Sequence, residues 1–92
     1  MGGESIKPIR KRIHVYFLMT TYKNVIGLIP PQRQKQLQET QRSWIKYRDL
    51  NCDFYADPNS GTSATLNSSS CFLDTTASRV KELEWFKEYY AN

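Results

Sequence analysis

Apolar residues recur at helical rather than strand spacing along most of this chain. Val15, Leu18, Met19, Tyr22, Val25, Ile26 and Ile29 follow one another at helical intervals and predict a first helix. Gly27 and the pair Pro30 and Pro31 end it. A residue that precedes proline avoids helical backbone, so the break falls near Ile29 and Pro30. Pro31 suits the first turn of the next helix, where its missing N–H would have no partner anyway. From Gln32 to about Tyr55 the chain is rich in Gln, Lys, Arg and Glu and holds neither Gly nor Pro. That composition predicts one long helix. At about 100° per residue, Leu37, Gln41, Trp44, Arg48, Cys52 and Tyr55 share a stripe, with Ile45 beside it.

Residues 57–70 read DPNSGTSATLNSSS. This is a loop by composition and the expected mobile element. Asp74, Thr75 or Thr76 would then cap a third helix by accepting from its free N–H groups. On that helix Thr76, Arg79, Val80, Leu83, Phe86 and Tyr90 share a face. The expected fold is all-α: a small three-helix bundle, with a four-helix bundle as the alternative, and one long loop. Residues 1–12, with Gly2, Gly3 and Pro8, read as a flexible basic arm. Residues 13–92 read as a single helical domain.

Charge narrows the function classes. Net charge is +4 over 92 residues. Lys7, Arg10, Lys11 and Arg12 against Glu4 put +3 in residues 1–18, which leaves 9 basic and 8 acidic residues, or +1, in 19–92. A nucleic-acid-binding role would rest on the arm alone, so no nucleic acid is expected as partner. No stretch approaches the roughly 20 apolar residues of a membrane span. Basic residues within 7–12 precede Ile13, Val15, Tyr16, Phe17, Leu18 and Met19, the order found in a secretion leader. The apolar part is short, His14 interrupts it and no small-residue cleavage site follows, so it reads as the first turns of a helix.

Two cysteines, Cys52 and Cys71, flank the polar segment. A bridge between them would close a loop of 20 residues, worth roughly 3 kcal/mol by loop entropy. A domain this small has little core and gains much from a staple. The alternative is a pair of free thiols. A bridge implies an oxidising compartment. Two Cys and one His make a poor metal set, so no metal and no cofactor are expected.

Catalysis finds little to work with. His14 has no nucleophile near it in sequence. Asp49 and Asp53 share a helix face, but with Lys46 close by they read as solvated carboxylates rather than an acid–base pair. No glycine-rich phosphate loop is present. A binding protein is expected, not an enzyme. Gln41 and Arg48 interrupt an otherwise apolar stripe, and Arg79 does the same on the last helix. Such groups need partners. They either form an internal network holding the bundle together, or face a groove and meet a partner.

These residues form a pattern. LQETQRSWIKYRDLNC, at 37–52, is followed after the polar segment by CFLDTTASRVKEL, at 71–83. The combination resembles the lysozyme inhibitor LprI-like family of small bacterial cell-envelope proteins. The matching positions are Leu37, Gln41, Trp44, Ile45, Arg48, Asp49, Cys52, Cys71, Thr76, Arg79 and Leu83, with Tyr22 fitting an upstream segment. The resemblance departs at the front, where neither an export signal nor a further cysteine-containing stretch is recognisable.

The resemblance implies a periplasmic or cell-surface location in a bacterium and binding of a protein, lysozyme. The expected contact surface is the 57–70 segment with its flanks, including Asp53, Asp57, Asn59 and Leu66. Common lysozymes are strongly basic, and a body at +1 gives them no long-range attraction. Local acidic contacts near Asp49, Asp53 and Asp57 would have to supply it. The rival expectation is an envelope structural module that forms a homo-oligomer. It rests on the aromatic tail of Trp85, Phe86, Tyr89 and Tyr90, which offers more apolar surface than one helix face buries.

Overall fold

The computed structural model describes the backbone from Gly2 to Ala91 and the side chains from Arg10 to Ala91. It contains three α-helices and, among the described residues, no strand: α1 (Gly2–Ile26), α2 (Pro31–Tyr55) and α3 (Ser63–Ala91), with a single 3-10 turn at Pro58–Ser60. The all-α, three-helix expectation holds.

The first connection forms as the sequence predicts. α1 ends at Ile26 and Pro30 precedes α2 in extended backbone, φ −64° and ψ 156°. Gln34 completes this corner. Its amide nitrogen donates to the carbonyls of Ile26 at 2.8 Å and Ile29 at 3.2 Å, oxygens left over by the end of α1.

The second connection corrects the sequence reading. The loop expected over 57–70 is confined to 56–62, and α3 begins at Ser63 instead of near Asp74. The physical reason is the placement of the breakers. Pro58 and Gly61 both lie at the front of the segment, and Gly61 adopts φ +61°. After Gly61 neither Gly nor Pro occurs. Ser, Thr and Asn are weak rather than prohibitive helix residues, and Cys71 ties this stretch to α2. Asp74, Thr75 and Thr76 are therefore mid-helix and cap nothing. The 3-10 turn has its own cap: the Asp57 carboxylate accepts from the Asn59 N–H at 2.9 Å.

At the other end, helical backbone runs from Gly2 through the stretch read as an arm. Lys11 is half-buried, and its ammonium lies 5.2 Å from the centre of the Phe72 ring on α3. Side chains before Arg10, Lys7 among them, lie outside the described ones.

α1 and α2 each pack mainly on α3, with little direct contact between them. The molecule is flat and long, 47 × 26 × 15 Å, with a radius of gyration of 15.4 Å. A compact chain of this length would have about 12 Å. The core is correspondingly thin. Leu18, Val25, Ile29 and Leu83 form its buried centre, and Tyr22, Ile26, Leu37, Trp44, Val80, Phe86 and Tyr90 pack around them. Three expected inward residues are exposed instead: Met19, Ile45 and Tyr55. Tyr55 is the last residue of α2 and borders a shallow cleft with Asn67, Ser70 and Asp74 of α3. Thr21 is buried without having been expected there.

Candidate functional site

Cys52 and Cys71 are joined in a disulfide, with 5.4 Å between their Cα atoms. The bridge lies within α3 rather than ahead of it. It fixes the antiparallel register of α2 and α3, and the motif residues follow in order along that seam.

Arg48 is buried next to the bridge. Its guanidinium lies 4.3 Å from the centre of the Phe72 ring and 5.2 Å from that of Trp44. Its Nε donates to the Asp49 carboxylate at 3.0 Å. One step further along, Arg79 is buried and its Nε donates to Gln41 Oε1 at 3.0 Å. Arg79 also pairs with Glu82, and its guanidinium lies 5.9 Å from the Trp44 ring centre. Thr76 and Leu83, both at 0% exposure, fill the α3 side. The Thr76 hydroxyl and Arg79 Nη2 make no hydrogen bond.

Gln41 and Arg48 therefore face the interior. Trp44 offers its π face to two cations, and each cation is anchored by a hydrogen bond. Such a desolvated network favours one pairing of the helices over others. The choice between internal network and partner-facing groove falls to the network for Gln41, Arg48 and Arg79.

The open surface lies elsewhere. At the hairpin tip Asp53, Asp57, Asn59 and Leu66 are all exposed. Phe54 stands among them at 82% exposure, the highest of the large apolar side chains. Between Asp49 and Ser78 the sequence holds four Asp and no Lys, Arg or His. Asp49 is paired with Arg48; Asp53 and Asp57 are exposed on either side of the end of α2, near Phe54 in the chain, and Asp74 is exposed further back on α3. Phe54 was legible only by exclusion: it falls off the Leu37–Trp44–Cys52 stripe.

A second open feature sits at the far end of the hairpin. A cleft of about 800 Å³ separates the start of α2 from the end of α3. Trp85 and Tyr89 form one wall, which accounts for the aromatic excess of the tail. His14 is remote in role from both; its Nδ1 lies 2.9 Å from the Arg10 carbonyl on its own helix. Among the described residues no group of three or more His, Cys, Asp or Glu is placed to hold a metal. Nor is any described helix long and apolar enough to cross a membrane.

The model of the family described as lysozyme inhibitor LprI matches residues 18–83, well over half of the chain. No curated protein and no solved structure matches. The matched span runs from Leu18, at the buried centre of α1, to Leu83, at the buried centre of α3, and takes in the disulfide and the whole arginine seam. The chain belongs to the lysozyme inhibitor LprI family.

Proposed function

We propose that this protein inhibits a lysozyme-type muramidase by presenting the acidic tip of its α2–α3 hairpin to the basic surface of the enzyme. The observation that carries the reading is Phe54, an exposed aromatic at the end of α2 with the exposed carboxylates of Asp53 and Asp57 close to it along the chain. Tight protein interfaces combine a central aromatic anchor with a charge-complementary rim. The 49–78 segment has this composition despite the chain's net +4, with Lys11 of α1 as a basic neighbour over Phe72. Asn59 and Leu66 extend the contact surface on either side of the turn. The turn itself is held: Ser60 Oγ donates to the Asp57 carbonyl at 2.7 Å, and the disulfide ties α3 to α2 behind it. A tip fixed in advance loses little entropy on binding. The role is one of binding rather than catalysis. The disulfide suits an oxidising compartment, hence the periplasm or cell surface of a bacterium.

The test is lysis of a cell-wall suspension by lysozymes of several classes. Purified oxidised protein at micromolar concentration slows the basic enzymes, and added salt weakens the effect as it screens the acidic rim. No slowing with any class refutes the proposal.

A second reading, self-association in the envelope, draws on α1. Ile13, Tyr16 and Phe17 are exposed at helical spacing on its outer face. Light scattering decides it, since a monomer at every concentration removes a homo-oligomer from consideration.

A further inference from the structure

α1 is apolar on two opposite sides. Leu18 and Val25 face inward and belong to the buried core. On the side turned away from it, Ile13, Tyr16 and Phe17 are 47%, 66% and 54% exposed. At helical spacing they fall, with exposed Thr20 and Asn24, within one arc of about 100°. The Tyr16 and Phe17 rings meet edge-on, 5.9 Å between centres. Arg12 and Lys23 border the arc on one side and Arg10 on the other, and all three are exposed. α1 packs on α3 and has little contact with α2, so no described element covers this face.

The charge around the face has one sign. Residues 5–38 hold seven Lys and Arg and neither Asp nor Glu, whereas residues 39–92 hold six against eight acidic residues. The basic character of the chain is therefore gathered on α1 and the start of α2, and the remainder is slightly acidic.

An apolar strip with cations on both borders suits an anionic bilayer surface. The apolar side chains enter the acyl boundary, while Arg and Lys reach back to the phosphates along their own stems. Other occupants fit less well. A second copy meeting this face with its own would gather like charges at the rim, whatever the register. A helix of another protein docks ridge into groove, and Ile13, Tyr16 and Phe17 line neither of the two clefts described above. A nucleic acid would use the cations and leave three apolar side chains in water. We propose that the outer face of α1 lies on a bilayer surface rich in anionic phospholipid, with Ile13, Tyr16 and Phe17 inserted and Arg10, Arg12 and Lys23 at the headgroup phosphates. The helix rests on the membrane without crossing it, since no described helix is long and apolar enough to cross. The site uses neither Phe54 nor the carboxylates near it, and so does not rest on the lysozyme reading.

The experiment is flotation of the whole oxidised protein with two kinds of vesicle, pure phosphatidylcholine and an equal mixture of phosphatidylcholine and phosphatidylglycerol. At low salt the protein floats with the mixed vesicles and not with the neutral ones, and added salt weakens the association. Arg12→Gln with Lys23→Gln weakens binding about 25-fold, at about fivefold per cation. Tyr16→Gln with Phe17→Gln weakens it about tenfold or more through the lost apolar burial. All four side chains are exposed and Gln is a good helix former, so both variants keep the helical circular-dichroism spectrum. Phe54→Ala floats as the parent does, which separates this face from the inhibitory tip. No flotation with the mixed vesicles at low salt overturns the proposal. So does a Tyr16→Gln, Phe17→Gln variant that floats like the parent, because cations alone, meeting any polyanion, would then explain the binding. A dimer seen by light scattering in the parent and lost in that variant also overturns it, and gives the face to a second copy.

Discussion

The seam between α2 and α3 and the tip where the two helices join are built from neighbouring residues with opposite fates. Along the seam Gln41, Arg48, Thr76 and Arg79 are polar and buried, and every one lies within the matched span and on the spacing that carries the resemblance. At the tip Phe54 is apolar and exposed, and it lies between pattern positions rather than on one. The contrast shows what the pattern encodes. Its spacing specifies how two helices lock: a disulfide, then a guanidinium over aromatic rings, then an Arg–Gln hydrogen bond, then Leu83. A binding surface sits on top of that scaffold and is free to differ in composition. The family assignment therefore carries the fold directly, whereas the proposed activity rests on residues such as Phe54, Asp53 and Asp57.

If the seam is the scaffold, the largest losses of stability come from there. Replacing both Cys52 and Cys71 by Ser releases a 20-residue loop in the unfolded chain and is expected to cost about 3 kcal/mol. Denaturant unfolding of the oxidised protein against the double-serine variant measures it. The thin core leaves little reserve, so the variant should be partly unfolded at 37 °C. A loss below about 1 kcal/mol would shift the burden of register from the bridge to the arginines.

The next effect belongs to Arg79→Ala. It removes the partner of Gln41 Oε1 and one of two cations over Trp44. Glu82 is more than half exposed, so its carboxylate returns to water at small cost. The loss is then mainly one unmet buried acceptor plus packing, about 2 kcal/mol. Gln41→Ala combined with Arg79→Ala should cost less than the two single changes summed, because the orphaned group is gone from both sides. Additive losses in that cycle would show that the Gln41–Arg79 bond contributes no coupling.

Much of the seam was legible in the sequence, because buried stripes repeat at a fixed angle and breakers mark their ends. Leu37, Gln41, Trp44, Arg48 and Cys52 lie inward on α2 as the spacing requires, and Pro30, Pro31 and Gly27 mark the first corner. Two things were not legible. The helix at Ser63 hides in a segment whose composition favours a loop; tertiary attachment through Cys71 outweighs weak local propensity there. Burial at helix edges was the other. Met19, Ile45 and Tyr55 are apolar and sit near a stripe, yet they are exposed, because a flat three-helix slab covers each helix on fewer sides than a rounder bundle would. Phe54 was missed for a related reason. Periodicity identifies what faces a core, and it has no term for an apolar residue left outside one.

Gly61 lies between the two regions and tests whether the short connection is as tight as its geometry. It is the one described residue with positive φ, at +61°. A Cβ there would meet nothing within 4 Å, so the cost of Gly61→Ala is backbone strain alone. About 1 kcal/mol is expected, read as a shift in the denaturant midpoint at unchanged slope. A neutral result would mean that the connection relaxes away from the left-handed geometry without disturbing α3.

The smallest expected change in stability sharpens the comparison most. Phe54 has little contact to lose, so Phe54→Ala should leave unfolding within about 0.5 kcal/mol of the parent. If the tip is the inhibitory surface, the same substitution raises the concentration needed to slow lysozyme by tenfold or more, since a central aromatic anchor commonly carries about 2 kcal/mol of binding. Asp53→Asn with Asp57→Asn should act differently. Loss of the acidic rim slows association and flattens the salt dependence, with a smaller effect on dissociation. Binding kinetics at two ionic strengths separates anchor from rim. Phe54→Ala leaving inhibition intact, while Arg79→Ala abolishes it at temperatures where that variant is still folded, would reverse the assignment and make the seam itself the surface the enzyme meets.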